Sequence, residues 1–515
     1  MRNIYLEILT ANKAKLVNLF NRDEMSVTKG YGDRLHWGWK VSDFSNGTMQ
    51  GGVHAMAHML NLGVFEGEED KVLELISSSI LAIEKIAKKN GSMEEAYPRE
   101  NSFCVTALVA FDALWAIDLL GEKLAPSIKR NALEVLKPLV KFITQNGEEH
   151  AIISNHLATG VAAIFKWNKL TGAESNRGIE LLDIIYKHQS EEGWYKEYEG
   201  ADPGYQTLCT YYLACAYEDS KDERLLNSLQ SSGEFLKYFV HPDGTIGGNY
   251  GSRNTEVFYP GGVVILSKYL EVFNSIRTAL EEGITNNKNL LPQNIDVGNY
   301  IPFLNSYAVA ASHRINLQDV PLKLDSEERD FKETGIFVKT TERYHTILNY
   351  KKGGVCKVFD KSLNRIDFVD SAYFGVLSNG KKISSQVMND GVDFSERTIS
   401  TQFYYINESN PSSFTTLVLR FLSMTIFRSV YLGNIFKKRI VGMLMTGKKK
   451  AGGSVTRSYV FSDSEIIIED KVERPNRTET VERKKFAKAI HMASSGYFIN
   501  QHWELPEEST IVKLK

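Results

Sequence analysis

The chain has 515 residues, of which 43% are hydrophobic and 24% are charged, and its formal net charge is −2. This composition is typical of globular proteins and excludes a fibrous or disordered class, while the length predicts about two to four domains. The nearly balanced charge gives no reason to expect a nucleic-acid partner.

The cysteines and the N-terminus favour a cytoplasmic protein. Cys104, Cys209, Cys215 and Cys356 have neither CxxC spacing nor the density of a disulfide framework, which indicates buried thiols in a reducing compartment. Residues 1–20 lack the pattern of a secretion signal, and no uninterrupted apolar run reaches the roughly 18 residues of a membrane span. We expect no structural zinc.

The first part of the chain, residues 1–283, has a helical pattern. Apolar residues recur at three- and four-residue spacing, as in KVLELISSSILAIEKIAKK (71–89). Loops rich in Gly, Trp, Tyr, Asn and charged residues interrupt the helices about every fifty residues, which is the length of one helix pair. The pattern predicts an (α/α) toroid of helical hairpins whose polar-aromatic loops meet at one end.

The second part of the chain has a different pattern of residues. Residues 284–330 are predicted to form a linker with one further helix, in YIPFLNSYAVAASHRI (300–315). Residues 331–515 alternate apolar and polar residues and are rich in β-branched and aromatic types, which predicts an antiparallel β-sandwich domain. The predicted fold class is therefore α+β multidomain, a toroid followed by a sandwich.

One segment of the predicted sandwich, residues 411–450, is unusually basic. It contains eight Lys and Arg and no Asp or Glu, a local charge of +8. Cations spaced among long apolar residues predict an amphipathic insertion that contacts anionic membrane through Lys437, Lys438 and Arg439. The alternative is an insertion that packs on its own domain and exposes its cations to solvent.

The stretch SNHLATGVAAIF (154–165) places Asn155 and His156 in front of an apolar helical run. Ordinary helix capping by Ser154 or Asn155 would explain this arrangement. The other explanation is that the helix opens at the mouth of the ring, where both side chains can meet a ligand.

Two further loops carry clusters of polar residues. The loop EGWYKEYEGADPGYQ (192–206) ends with Asp202 and Tyr205 in front of a helix, and GGNYGSRNTE (247–256) brings several functional groups together. Loops displayed by a rigid scaffold are where sites tend to lie. From this cluster we predict roles for Tyr250, Arg253, Asn254 and Glu256.

The early loops suggest sugar binding. Trp37 and Trp39 could meet the apolar face of a sugar ring, with polar side chains at its hydroxyl rim, although paired core indoles are the alternative. Ten residues are predicted to bind substrate: Trp37, Trp39, Asp43, Asn46, Gln50, Arg99, Glu100, Asp202, Asn254 and Glu256.

His54 and His58 lie four residues apart and would share a helical face. Without the Glu of an HExxH motif or a clear third ligand, hydrogen bonding within the ring is favoured over a metal site. No Walker or GxSxG pattern is present, so we expect neither a cofactor nor a metal.

The NH pair at 155–156 and the DPGY stretch at 202–205, in a helical ring with a trailing β-rich region, resemble the heparinase II/III-like and alginate-lyase-like polysaccharide lyases. The resemblance implies that Asn155 and His156 neutralise a uronate carboxylate and that Tyr205 transfers protons. It also implies a tyrosine or histidine from the sandwich, for which Tyr344 and His345 are candidates. Tyr250 and Arg253 complete the predicted catalytic set.

The expected reaction is metal-independent β-elimination, in which Arg253 lowers the pKa of Tyr205 from the usual value of about 10. The expected partner is an oligo- or polysaccharide, either acidic or lipid-linked.

One alternative is a glycoside hydrolase that uses two carboxylates. Its candidates are Asp43, Glu100, Asp202 and Glu256. The other is a non-catalytic glycan-binding protein that assembles cell-surface polysaccharide at the inner membrane face.

Overall fold

The structure is a computed structural model, and it describes most of the chain. The described residues are 3–148, 151–406, 410, 412–441, 448–490, 497 and 505–515, and for residues 437, 440 and 441 only the backbone is described. Lys437 is therefore one predicted lipid contact whose side chain lies outside the described part.

The first part of the chain is helical. In chain order its helices are α1 (Ile4–Val17), α2 (Arg34–Trp37), α3 (Gly52–Asn61), α4 (Glu69–Ile86), α5 (Phe103–Leu120), α6 (Pro126–Gln145), α7 (Ser154–Thr171), α8 (Arg177–His188), α9 (Pro203–Ser220), α10 (Glu223–Leu236), α11 (Pro260–Leu266), α12 (Glu271–Thr285) and α13 (Val297–His313).

Apart from the four-residue α2, every second helix belongs to a closed inner ring. The order of contacts is α3, α5, α7, α9, α11 and α13, and α13 returns to α3. Helices α1, α4, α6, α8, α10 and α12 pack outside this ring. The predicted (α/α) toroid is confirmed, and α13, which lies beyond residue 283, is the helix that closes it.

Helix α5 of the inner ring is apolar on nearly all sides. The stretch Phe103–Lys123 is long and apolar enough, by length and composition, to cross a membrane, and 83% of its most apolar window is buried. It packs against α3, α6 and α7 in the ring. A helix enclosed by neighbours needs no polar face, so burial in the ring explains its composition.

The second part of the chain forms two sheets. The first contains, in spatial order, β1 (Glu327–Phe331), β2 (Ile336–Thr340), β3 (Tyr344–Asn349), β4 (Val355–Asp360) and β5 (Arg365–Asp370). The second contains β6 (Tyr373–Leu377), β7 (Lys382–Ser384), β8 (Thr398–Tyr405), β9 (Lys450–Phe461), β10 (Ile466–Glu473), β11 (Thr478–Arg483) and β12 (Val512–Leu514).

These two sheets pack face to face. The spatial order of the second is β11, β6, β7, β8, β9, β10 and β12, and its strands are antiparallel except that β12 runs parallel to β10. Phe337 and Leu348 of the first sheet share a core with Tyr459 and Ile468 of the second. The predicted β-sandwich is confirmed.

A helical hairpin interrupts the second sheet between β8 and β9. It consists of α14 (Ser413–Met424) and α15 (Val430–Val441), and we call it the α14–α15 hairpin. It reaches the ring, because Asn101 Nδ2 donates to the carbonyl of Phe427 at 3.1 Å. Arg420 also forms an ion pair with Asp43 at 3.0 Å.

Lys352 joins the sandwich to the ring. Its buried Nζ donates to the carbonyls of Asn249 and Gly251, at 2.8 and 2.6 Å, and to Asn254 Oδ1 at 2.6 Å. Asn349 adds a bond from Nδ2 to the carbonyl of Tyr250 at 2.7 Å. The sandwich therefore holds the ring loop 249–254 in place.

We predict that Lys352→Met lowers the free energy of unfolding by at least about 3 kcal/mol, because three buried acceptors lose their donor. The midpoint of urea unfolding measures the loss. The matched control is Lys351→Met, whose Nζ donates to one carbonyl, that of Glu333, at 2.9 Å; it should cost about 1 kcal/mol. Equal losses in the two variants would contradict the role of Lys352.

Candidate active site

A cavity of about 460 Å³ lies at the end of the ring where the inner helices α5, α7, α9 and α13 begin. Ser102, Asn155, Tyr205 and Asn299, each near the start of one of these helices, line it. The loops that precede these helices therefore meet around one space.

Asn155 sits in the first turn of α7 and is fixed by a carboxylate from another loop. Its backbone N–H and its Nδ2 both donate to Glu197 Oε1, at 3.2 and 2.7 Å. No side chain of the preceding residue caps this helix. Because a carboxylate at a helix N-terminus satisfies free N–H groups and complements the helix dipole, Glu197 takes over the capping role. Asn155 therefore does not cap the helix.

His156 also lines the cavity, and its orientation is set by Glu148. The ring atom Nδ1 lies 2.7 Å from Glu148 Oε2. A carboxylate at one ring nitrogen fixes the tautomer and leaves the other nitrogen for a ligand. Among the described residues, Nε2 has no hydrogen-bond partner, so it can serve that purpose.

Tyr205 and Arg253 form a stacked pair at the cavity wall. The guanidinium carbon of Arg253 lies 3.5 Å from the centroid of the Tyr205 ring. Asp202, at the start of α9, holds both residues: Oδ1 accepts from the Tyr205 N–H at 3.0 Å, and Oδ2 accepts from the Arg253 N–H at 2.8 Å. Asp202 is fully buried and does not line the cavity, so it positions these residues rather than contacting substrate.

Glu197 connects the two halves of the site. Its Oε2 lies 3.4 Å from Arg253 Nη1, while Oε1 holds Asn155. Burial raises the pKa of Glu197, although Arg253 opposes the shift. Burial alone would lower the pKa of Arg253, but Tyr205 and Glu197 outweigh it and raise that pKa, so the guanidinium stays charged.

Tyr198 adds a second phenol to the cavity. Its backbone is in the left-handed region, with φ at 57°, which is unfavourable for a bulky side chain. Burial raises the pKa of Tyr198 to about 12. The left-handed backbone of Tyr198 is strained, and backbone strain of this kind persists where the surrounding structure imposes it, commonly at functional sites. Tyr198 therefore remains protonated at neutral pH and is suited to donate a hydrogen bond.

Three residues of the 247–256 loop lie away from the cavity. Tyr250 is fully buried, and its hydroxyl bonds to His241 Nε2 at 2.8 Å, so it is a core residue. Asn254 and Glu256 line a second cavity of about 350 Å³, and Glu256 pairs there with Lys357 at 2.7 Å. Of the four predicted residues in this loop, Arg253 is the one that lines the main cavity.

The early loops contribute little to the cavity wall. Trp37 donates from its indole nitrogen to the Leu19 carbonyl at 2.8 Å, and Trp39 is 67% exposed. Neither tryptophan lines the cavity. Gln50 is buried because it bonds three backbone groups, the N–H of Gly32 and the carbonyls of Gly30 and Ser79.

Asp43 and Asn46 are also placed by local contacts. Asp43 is exposed and paired with Arg420 of the α14–α15 hairpin, and Asn46 accepts from the Thr48 N–H at 3.0 Å. Thr48, rather than Asn46, reaches the cavity. Neither Asp43 nor Asn46 lines the cavity.

The loop before α5 supplies carboxylates. Glu100 lines the cavity, and its Oε2 accepts from the N–H groups of Glu95 and Ala96, at 3.1 and 2.9 Å. Arg99 has a left-handed backbone, with φ at 64°, and its side chain is not part of the wall. Glu95 and Glu148 also line the cavity. Of the four carboxylates proposed for hydrolysis, Glu100 is the one located here.

The sandwich reaches the cavity through a different element from the one expected. Tyr344 donates to the carbonyl of Ser462 at 2.5 Å, and His345 lies within 2.9 Å of Thr340 Oγ1; both are fully buried in the sandwich. Three apolar side chains of the α14–α15 hairpin line the cavity instead: Leu419, Phe427 and Phe436.

Sequence reasoning missed Glu148, Glu197 and Tyr198. Glu197 and Tyr198 lie in the loop that the sequence singles out, but Glu192 and Glu199 are equally plausible there. Glu148 precedes the NH pair in a stretch with no other distinguishing feature. Only the folded arrangement shows which carboxylate is turned towards Asn155 or His156.

His54 and His58 are buried within the ring and bonded to each other, with 3.2 Å between their Nε2 atoms. Asp112 Oδ1 lies 2.8 Å from His54 Nδ1, and Ser312 Oγ lies 2.7 Å from His58 Nδ1. Burial lowers the pKa of His54 to about 3. In the described part of the chain, no group of three or more His, Cys, Asp and Glu could hold a metal.

No protein-family model matches the sequence, and no curated protein sequence matches it. Solved structures with a similar fold include the xanthan lyase of Paenibacillus, with 10% identity and a TM-score of 0.47 over 78% of this chain and 44% of that one. A chondroitin AC lyase of Streptomyces coelicolor A3, solved in complex with chondroitin sulphate, has 8% identity and a TM-score of 0.48 over 78% of this chain and 64% of its own.

A heparinase III has 11% identity and a TM-score of 0.44 over 90% of this chain and 70% of its own. The chain is thus similar to polysaccharide lyases, the group that its sequence resembles, and the similarity concerns the fold alone. It spans less than two thirds of the length of the xanthan and chondroitin lyases.

Proposed function

We propose that the protein cleaves a uronate-containing polysaccharide, free or lipid-linked, by β-elimination without a metal. The observation that carries this proposal is the linked set of Asn155, Glu197, Arg253 and Tyr205, beside His156, in one cavity. The set combines donors for a carboxylate with a phenol next to a fixed positive charge.

Asn155 and His156 are assigned to the carboxylate of the sugar. When the proton on the neighbouring carbon leaves, negative charge develops on that carboxylate, and preorganised donors stabilise it. One N–H of Asn155 Nδ2 is held by Glu197, which leaves the second for the substrate. His156 donates to the carboxylate from Nε2 when its ring carries both protons, since Nδ1–H is held by Glu148.

Tyr205 is assigned to proton transfer. Its phenolate takes the proton from the carbon next to the carboxylate, and the released electron pair forms a carbon–carbon double bond. The neighbouring carbon–oxygen glycosidic bond breaks, and the tyrosine hydroxyl returns its proton to the leaving oxygen. The charged Arg253 against the ring stabilises the phenolate more than the neutral phenol, which makes this base accessible.

The first test is a screen of the full chain against uronate-containing and neutral polysaccharides. Ultraviolet absorbance reports unsaturated ends, and a parallel assay reports reducing ends. We expect both to rise together on an acidic polymer and neither on a neutral one. An increase in reducing ends without an increase in absorbance would contradict elimination. No change in either readout would favour the non-catalytic binding role.

Hydrolysis is the second candidate, because Glu95, Glu100 and Glu148 line the same cavity. An inverting hydrolase needs an acid and a base roughly 6.5–9.5 Å apart. Glu100→Gln tests hydrolysis by Glu100, the one of the three that the sequence also predicts, since it would abolish that reaction but leave the donors and the phenol of the elimination site in place.

We predict that Tyr205→Phe lowers kcat by about 10²- to 10⁴-fold, because the only group removed is the one that transfers protons. Initial rates of absorbance change measure the effect. The matched control is Tyr211→Phe on the same helix, a buried phenol that does not line the cavity. Comparable rates for Tyr205→Phe and the parent chain would exclude this assignment.

We predict that His156→Ala lowers kcat by about 10²- to 10³-fold, the effect of removing one donor from a developing anion. The thermal unfolding midpoint should stay near that of the parent chain, since the ring of His156 is partly exposed and bonded to one side chain. A variant with parental turnover would remove His156 from the mechanism.

A further inference from the structure

The α14–α15 hairpin turns its apolar stripe towards solvent. Phe414, Leu417, Val418 and Phe421 follow the i, i+3, i+4, i+7 spacing of one helical face. Phe414 is 74% exposed, Leu417 68% and Phe421 62%. An amphipathic helix normally directs such a stripe to the core, so this one is available to a partner.

The neighbouring helix extends the same kind of surface. On α15, Tyr431 is 70% exposed, and Leu432 and Ile435 are exposed as well. The opposite side of the hairpin faces the cavity, since Phe427 is buried and lines the cavity wall. The apolar surface is therefore the outer side of an element whose inner side covers the candidate active site.

Exposed cations lie in the same segment. Arg428, Lys438 and Arg439 are exposed, as are Lys449 and Lys450 at the start of β9, whereas Lys448 pairs with Glu199 at 3.2 Å. Residues 411–450 contain no acidic residue, whereas the whole chain is slightly negative. Aromatic and aliphatic side chains combined with cations match helices that lie in the interface of an anionic bilayer.

The same charges disfavour a second copy of this chain as the occupant. A two-fold contact brings a surface against itself, so the cations of the two hairpins would face each other. An anionic lipid surface meets the apolar stripe and neutralises the cations together. We propose that the α14–α15 hairpin docks on an anionic lipid bilayer and holds the mouth of the cavity at the membrane surface.

This inference goes beyond the glycan chemistry and does not depend on it. The cytoplasmic leaflet carries anionic lipid, so the proposal places the protein at the inner membrane face. A glycan attached to lipid would then be presented next to Leu419, Phe427 and Phe436, the hairpin residues that line the cavity.

The test is co-sedimentation of the full chain with vesicles of phosphatidylcholine containing about one third phosphatidylglycerol, and with vesicles of phosphatidylcholine alone. We expect binding to the anionic vesicles, weakened by salt, and little binding to the neutral ones. Failure of the parent chain to bind anionic vesicles at low ionic strength would overturn the proposal.

Two variants test the two parts of the surface. Arg428→Gln/Lys438→Gln/Arg439→Gln should weaken binding about fivefold for each cation removed. Phe414→Ser/Phe421→Ser should weaken it about tenfold or more by removing the inserted rings. The matched control is Lys71→Gln/Arg130→Gln, which removes exposed cations from α4 and α6.

Parental vesicle binding by the Phe414→Ser/Phe421→Ser variant would overturn the proposal. So would a parent chain that is dimeric by light scattering, becomes monomeric in this variant and ignores vesicles, since the occupant would then be a second copy. Neither phenylalanine lines the cavity, so both outcomes are independent of activity on a soluble glycan.

Discussion

The carboxylate of Asp202 accepts backbone hydrogen bonds from two segments that are distant in sequence, the start of α9 and the loop that carries Arg253. Oδ1 holds the Tyr205 N–H, and Oδ2 holds those of Arg253 and Thr255, so a single buried group ties Tyr205 to the loop of Arg253. A Cβ on Gly251 would approach Asp202 Oδ2 to 2.6 Å, so the loop needs glycine at this point. The stacked guanidinium and phenol depend on this arrangement.

Glu197 ties α7 to the same loop, because its carboxylate accepts from the backbone N–H and the side-chain amide of Asn155 and pairs with the guanidinium of Arg253. Carboxylates buried in this way are stable only while their partners remain, which makes the loops around the cavity mutually dependent. The sandwich contributes to this order from two directions. Lys352 binds the loop of Arg253, and the α14–α15 hairpin forms part of the cavity wall.

The toroid and the sandwich were predictable because helical and strand periodicity occupy separate parts of the chain. Asn155, His156, Tyr205 and Arg253 were found because each lies at a helix start or in a polar loop. Gln50 and Tyr250 also lie in polar loops, but the amide of Gln50 and the hydroxyl of Tyr250 form hydrogen bonds to buried groups. No local sequence pattern reveals these bonds. Glu197 is hidden for the converse reason, since its partners lie 42 and 56 residues away.

The closure of the ring by α13 has a consequence for how the chain is made. Helix α3 begins at residue 52, and its second neighbour in the ring begins at residue 297. At a synthesis rate of about 5–20 residues per second, the nascent chain waits on the order of tens of seconds before that neighbour emerges from the ribosome. The apolar flank of α3 remains open during this interval, because the ring closes only after residue 313 has been synthesised, and chaperones that bind exposed apolar helices have time to act.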